Sequence, residues 1–126
     1  MPNWDAFRSF TKKGSMEDFP IYFTSPYFNT KTDSSSRQLM DAFTLKTKGK
    51  PSDVAFKGYE CARIFVKLLT LYPNDFMSHL NDKSLKVFSD YNFKPVMKKG
   101  SNVPDYFENK HLYFMKLLNG LVMKAW

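Results

Sequence analysis

The stretch DVAFKGYECARIFVKLLTLYP, residues 53 to 73, decides the reading of the whole chain. Its polar side chains, Lys57, Glu60, Arg63, Lys67 and Thr70, recur at steps of three or four, which draws one narrow polar stripe along a helix. Val54, Gly58, Cys61, Phe65, Leu68 and Tyr72 line one face, and Ala55, Tyr59, Ala62, Val66 and Leu69 line the flank beside it. Well over half the circumference is therefore apolar. Such a helix is expected to lie on a sheet or between two other elements, and Cys61, within the apolar face, is expected to be a small buried hydrophobe.

Working outward, Ser52 stands where an N-cap belongs and Pro73 ends the helix, because proline cannot continue the backbone bonding. Upstream, TDSSSRQLMDAFTLKTKGKP reads as a second helix. Ser35 and Gln38 resemble a capping box, Leu39, Met40 and Phe43 form the apolar stripe, and Gly49 and Pro51 stop it. IYFTSPYF (21 to 28) is β-rich and predicts a strand ending at Ser25 and Pro26. In PNWDAFRSF (2 to 10), Trp4, Phe7 and Phe10 suit a short helical turn, followed by a loop bracketed by Gly14, Ser15 and Pro20. Downstream, NDFMSHLND predicts a short helix and SLKVFSDYNFKPVM an exposed strand or two.

The chain closes on HLYFMKLL, Asn119, Gly120 and LVMKAW. Asn-Gly permits positive φ at both central positions of a type I′ turn, so a two-residue hairpin is predicted. Its register pairs Leu118 with Leu121, Lys116 with Met123 and Phe114 with Ala125. On the other face, Leu117 meets Val122, Met115 meets Lys124 and Tyr113 meets Trp126. Both faces carry apolar groups, so neighbours are expected on each side.

With 126 residues, 43% hydrophobic and 25% charged, the chain has material for one core, and one domain or part of one is expected. No apolar run is long enough to span a bilayer, and the start MPNWDAFRSF lacks the pattern of a secretory signal. The formal charge of +7 invites a nucleic-acid reading, but the lysines are dispersed from Lys12 to Lys124, which suits a solvated surface better than a phosphate footprint. Nucleic acid is therefore not expected as a partner.

The residues offer little for catalysis. His79 and His111 lie far apart with no second ligand at metal spacing, and neither a nucleophile elbow nor a phosphate-cradling glycine loop occurs. Glu17 with Asp18, and Asp105 with Glu108, fall in segments that read as loops. No cofactor, metal or catalytic residue is assigned. Tyr22, Tyr27, Phe28, Phe56 and Tyr59 are aromatics near turns, the residue type that lines small-molecule sites.

The order PNWDAF, YFTSPYF, PSDVAFKGYECARIFVKLL and YNFKPVMKKGSNVPDYFENKHLYFMKLLNGLVMKAW resembles the closing third of a type I periplasmic ligand-binding protein. The nearest likeness is to the amino-acid ABC transporter substrate-binding group of Bacteroidetes that is associated with LysM segments. The resemblance implies an α/β fold of αβα layers with a C-terminal β-hairpin, two lobes joined by crossing strands, and hinge closure on a ligand. Residues 21 to 28 would be a crossing segment, helices from 35 to 81 would cover one lobe's sheet, and the hairpin would return to the other. The resemblance implies that the apolar helix would pack on a sheet whose other strands come from an upstream region, so that the chain would be a fragment and Met1 would be an internal methionine of a longer protein. By position, Ser25, Tyr27, Phe56 and Tyr59 fall nearest the family's cleft. The implied function is non-catalytic binding of a small solute such as an amino acid, in the periplasm or cell envelope, with a transporter permease as a further partner. This chain departs from the pattern in Cys61, in the bulky Phe65 and Val66, and in a loop, Lys98 to Asn102, with one glycine. The alternative is an interaction module of the same fold that dimerises through the apolar helix, since a large uncovered apolar patch demands a partner.

Overall fold

The computed structural model describes residues 18 to 126, so the aromatic turn at Trp4, Phe7 and Phe10, the Gly14 and Ser15 loop, and Glu17 lie outside the described residues. The described chain has mixed α/β content. Its order is β1 (Ile21–Ser25), α1 (Ser34–Thr47), α2 (Asp53–Leu71), two 3₁₀ turns (Phe76–His79 and Lys83–Leu85), β2 (Phe93–Met97), β3 (Pro104–Asn109), β4 (Tyr113–Leu118) and β5 (Leu121–Lys124). These elements form two compact units. Among the described residues, one comprises 18–26 with Leu112–Trp126, and the other is the continuous span Tyr27–His111.

In the first unit, β4 pairs antiparallel with β1 and with β5, giving the order β1-β4-β5. Asn119 and Gly120 take φ of 51° and 74°, the doubly positive turn that only such residues adopt cheaply. The register follows the turn: Leu118 opposes Leu121, Leu117 opposes Val122, Lys116 opposes Met123 and Met115 opposes Lys124. The Ala125 amide extends it by donating to the Phe114 carbonyl at 2.9 Å.

The expectation of cover on both hairpin faces is corrected. Tyr113, Met115 and Leu117 are buried, whereas Phe114, Leu121, Met123 and Trp126 are exposed. On the open face the rings cover one another instead: Trp126 stacks on Phe114 at 5.2 Å and lies 6.5 Å from Tyr22 of β1. A strand alternates its side chains between two faces, so burying Tyr113, Met115 and Leu117 leaves Phe114, Leu121 and Met123 outward, whereas Trp126, past the end of β5, stacks on Phe114 and does not meet Tyr113 as its register predicted.

The second unit holds both helices. Ile64 and Leu68 of α2 form a core with Leu80, Leu85 and Tyr91, against which Tyr72, Phe76, Val87, Phe93 and Phe107 pack. Ser52 caps α2 by accepting from the Ala55 amide at 3.3 Å. The cap of α1 differs from the one expected at Ser35. Asp33 accepts from the Ser36 amide at 2.8 Å and from the Ser36 hydroxyl at 2.6 Å, a contribution of about 1 kcal/mol for such a cap. A carboxylate outcompetes a serine hydroxyl as acceptor for those donors, so the helix starts two residues earlier than the Ser35 pattern suggests. The predicted helix at 74 to 82 is a single 3₁₀ turn followed by a second, which Asp82 caps through the Ser84 amide at 2.9 Å.

Two further expectations on strands change. Of SLKVFSDYNFKPVM, only Phe93–Met97 is a strand, and its partner is β3, which contains Asp105 and Glu108 from a segment read as a loop. The pairing is antiparallel, with a register shift at Val96 and Met97 and an exposed Pro95 opposite Phe107. Asn81 pins the start of β2 by accepting from the Phe93 amide at 2.7 Å and donating to its carbonyl at 2.8 Å.

The largest revision concerns α2. Its buried line is Phe56, Glu60, Ile64 and Leu68, four residues apart throughout, so Glu60 belongs to the core and not to the polar stripe. Cys61 is exposed and not buried as expected. Val54, Val66 and Leu69 are likewise exposed. A helix can press only one line into a single core, and the 3₁₀ turns and β2–β3 ribbon accept the Phe56 to Leu68 line.

Candidate functional site

Three of the four residues assigned to a cleft, Tyr27, Phe56 and Tyr59, fall in the second unit, at its first residue and on the first two turns of α2. Ser25 falls in the other unit, at the end of β1 opposite Tyr113. The three therefore share one compact body, and Ser25 does not belong to it.

Phe56 is fully buried and meets Phe88 edge to face at 5.6 Å. Tyr59 lies on the surface, 6.0 Å from the same Phe88 ring, and its hydroxyl accepts from Arg63 Nη1 at 2.9 Å. Lysines lie over two of the rings: Lys57 Nζ is 5.0 Å from the Tyr27 centroid and Lys31 Nζ is 5.2 Å from that of Phe56. Aromatic faces attract cations electrostatically, so these contacts fix where the ammonium groups rest. Lys31 is further held by Asp53 at 2.5 Å.

The loop that carries Lys31 is built by short polar side chains. Lys31 adopts a positive φ of 61°, and its amide donates to Asn29 Oδ1 at 2.7 Å, the local bond that stabilises such a turn. Asn29 Nδ2 donates to Ser36 Oγ at 3.0 Å, and Ser36 donates onward to Asp33. Ser36 is wholly buried, so the Asn29, Ser36, Asp33 chain anchors the loop to the start of α1.

Behind the rings, Glu60 performs a different task. Its Oε1 accepts from the Phe88 amide at 2.7 Å and the Ser89 amide at 2.6 Å, and its Oε2 accepts from the Ser89 hydroxyl at 2.6 Å. Glu60 and Ser89 are both buried. A buried carboxylate is tolerated only when donors replace its lost water, and here two consecutive backbone amides and a hydroxyl do so. The Phe88 ring that packs on Phe56 and Tyr59 is thus positioned by Glu60.

Burial pushes the Tyr27 hydroxyl up to about 12, with the bond to Asn29 acting in the opposite direction and the charges of Glu60, Asp53 and Asp33 adding to the rise. At neutral pH the phenol stays a protonated donor and a poor base, which suits binding better than proton transfer. The sign of the pH effect follows from the raised value. The contribution to stability is complete below the ordinary tyrosine value of about 10 and is lost as pH rises toward 12. Tyr72 and Tyr91 are also raised, so absorbance titration at 295 nm should show several late tyrosines, of which the one near 12 disappears in Tyr27→Phe. A Tyr27→Phe difference curve centred near 10 would contradict it.

Sequence reasoning missed Asn29, Lys31, Ser36, Lys57, Phe88 and Ser89. A usable signal existed for Glu60: it stands four residues after Phe56 and four before Ile64, a carboxylate on an apolar line. Phe88 and Ser89 gave none, being joined to α2 only by tertiary packing across 28 and 29 residues.

Among the described residues, no group of three or more His, Cys, Asp or Glu is placed to hold a metal, and no helix is long and apolar enough to cross a membrane. His79 instead stacks on Tyr72 at 3.7 Å. No family model, curated protein or solved structure matches the chain.

Proposed function

We propose that the chain is a non-catalytic solute-binding protein of the periplasmic ABC-transporter type, of αβα-layered architecture, acting in the periplasm or cell envelope on a small polar solute such as an amino acid. The observation that carries the reading is the chain path. The polypeptide leaves one compact unit after Pro26 and re-enters it at Leu112. The YFTSPYF segment that the resemblance assigns to a crossing strand spans the first of these points, and the returning hairpin follows the second.

The polar and aromatic groups around Tyr27 support the same class. The ammonium group of Lys57 beside the Tyr27 ring offers a cation to a carboxylate, and the ring offers apolar area.

The test is a thermal unfolding scan of the full chain with each of the common amino acids. A ligand that binds only the folded state at one hundred times its Kd adds about 2.7 kcal/mol, which for a chain of this size raises Tm by roughly 10 °C. At least one amino acid is expected to produce such a shift, and Lys57→Ala should abolish it. A panel in which every compound leaves Tm unchanged at millimolar concentration overturns the assignment.

A further inference from the structure

We infer that the Asp53 carboxylate and the face of the Phe56 ring form a binding site for a small organic ammonium ion, which the chain fills with its own Lys31 until a ligand displaces it. Lys31 Nζ lies 2.5 Å from Asp53 Oδ1 and 5.2 Å from the Phe56 centroid. A carboxylate and an aromatic face thus meet one nitrogen, the pair of groups by which proteins recognise ammonium ligands. The site is argued from these three residues and does not rest on the solute-binding reading.

The loop that carries Lys31 does not depend on its ammonium group. It is held through the Lys31 amide, which donates to Asn29 Oδ1, and through the bonds that join Asn29, Ser36 and Asp33. None of these uses Nζ. The φ of 61° at Lys31 lies in the left-handed region, where glycine sits with less strain than lysine. A long side chain kept at a position that suits glycine acts through its end group, and that end group occupies the cation site.

The occupant is also displaceable. The Lys31 and Asp53 side chains are 35% and 48% exposed, so ions in solution reach the pair, and an exposed ion pair on a flexible lysine holds weakly. Phe56 is fully buried, so a ligand meets its face only by taking the place of the Lys31 side chain. Lys57, one turn farther along α2, rests over Tyr27 at 5.0 Å and not over Phe56, which leaves the corner to one cation. A compact ammonium group matches that corner, and an anionic one does not.

The inference is tested with n-butylammonium chloride, whose cation reproduces the lysine side chain, titrated into the full natural chain and into Lys31→Gly and followed by saturation-transfer NMR. Glycine keeps the loop's conformation and empties the site. A plug lowers apparent affinity by the fraction of time it is out, so Lys31→Gly should bind butylammonium, at millimolar concentration, roughly tenfold more tightly than the natural chain. Adding Asp53→Asn to that variant should reverse the gain. Should Lys31→Gly fail to fold by circular dichroism, Lys31→Ala carries the same comparison. Equal binding by the natural chain and the variant overturns the inference, as does no binding by either. So does n-butanol binding the variant as tightly as butylammonium, since an apolar hole would then account for the result.

Discussion

Glu60→Ala should lower the unfolding free energy by roughly 3 to 5 kcal/mol, measured by urea denaturation at neutral pH. The carboxylate accepts from the amides of Phe88 and Ser89 and from the Ser89 hydroxyl, and Glu60 itself is buried. Truncation strands two backbone donors where water does not reach easily, and each stranded donor costs about 1 to 3 kcal/mol. Glu60→Gln keeps an acceptor oxygen for both amides and turns an NH₂ toward Ser89, so its loss should be smaller, about 1 to 2 kcal/mol. The pair of variants separates the hydrogen bonds from the volume of the side chain. An alanine variant within 1 kcal/mol of the natural chain would show that the 88 to 89 segment is held by something other than Glu60.

Phe56→Ala is expected to cost about 3 to 5 kcal/mol, because a fully buried ring is replaced by a methyl group and its neighbours can close over the space only in part. Phe56→Leu, which keeps most of the volume, should cost less than about half of that. The measurement matters for function as well as stability. If Phe56 served only to touch a bound solute, the free protein would melt as before. A loss of stability without any ligand instead marks it as core, packed on the Phe88 ring that also meets the exposed Tyr59. Because Phe56 and Glu60 both act on Phe88, one through its ring and one through its amide, the double variant should lose less than the sum of the two singles.

The local punctuation of this chain was legible without any structure. Asn119 and Gly120 dictated the final turn and with it the pairing of Leu117 with Val122 and Met115 with Lys124. Ser52 and Pro73 bracketed α2, and Pro26 ended β1, since a missing N–H or a well-placed hydroxyl acts on its own few residues whatever surrounds them. The α1 cap was misread because Ser35 and Asp33 stand two residues apart, both able to cap, and only the carboxylate's two bonds to Ser36 separate them.

Tertiary structure alone decided which side of α2 is inside. Its apolar groups run most of the way round, so periodicity left several faces nearly equal. The choice fell to the Phe56, Glu60, Ile64, Leu68 line because that line meets the 3₁₀ turns, Tyr91 and the Ser89 amide, partners that lie far along the chain. The same contacts moved Glu60 inward and left Cys61 and Val66 outside. They also gathered Tyr27, Lys57 and Phe88 around the start of α2 while leaving Ser25 in the other unit. Turns and caps are settled by bonds between neighbours, and sequence carries those directly. The buried side of an all-round apolar helix is settled by which distant groups can satisfy it, and that information exists only once the chain has folded.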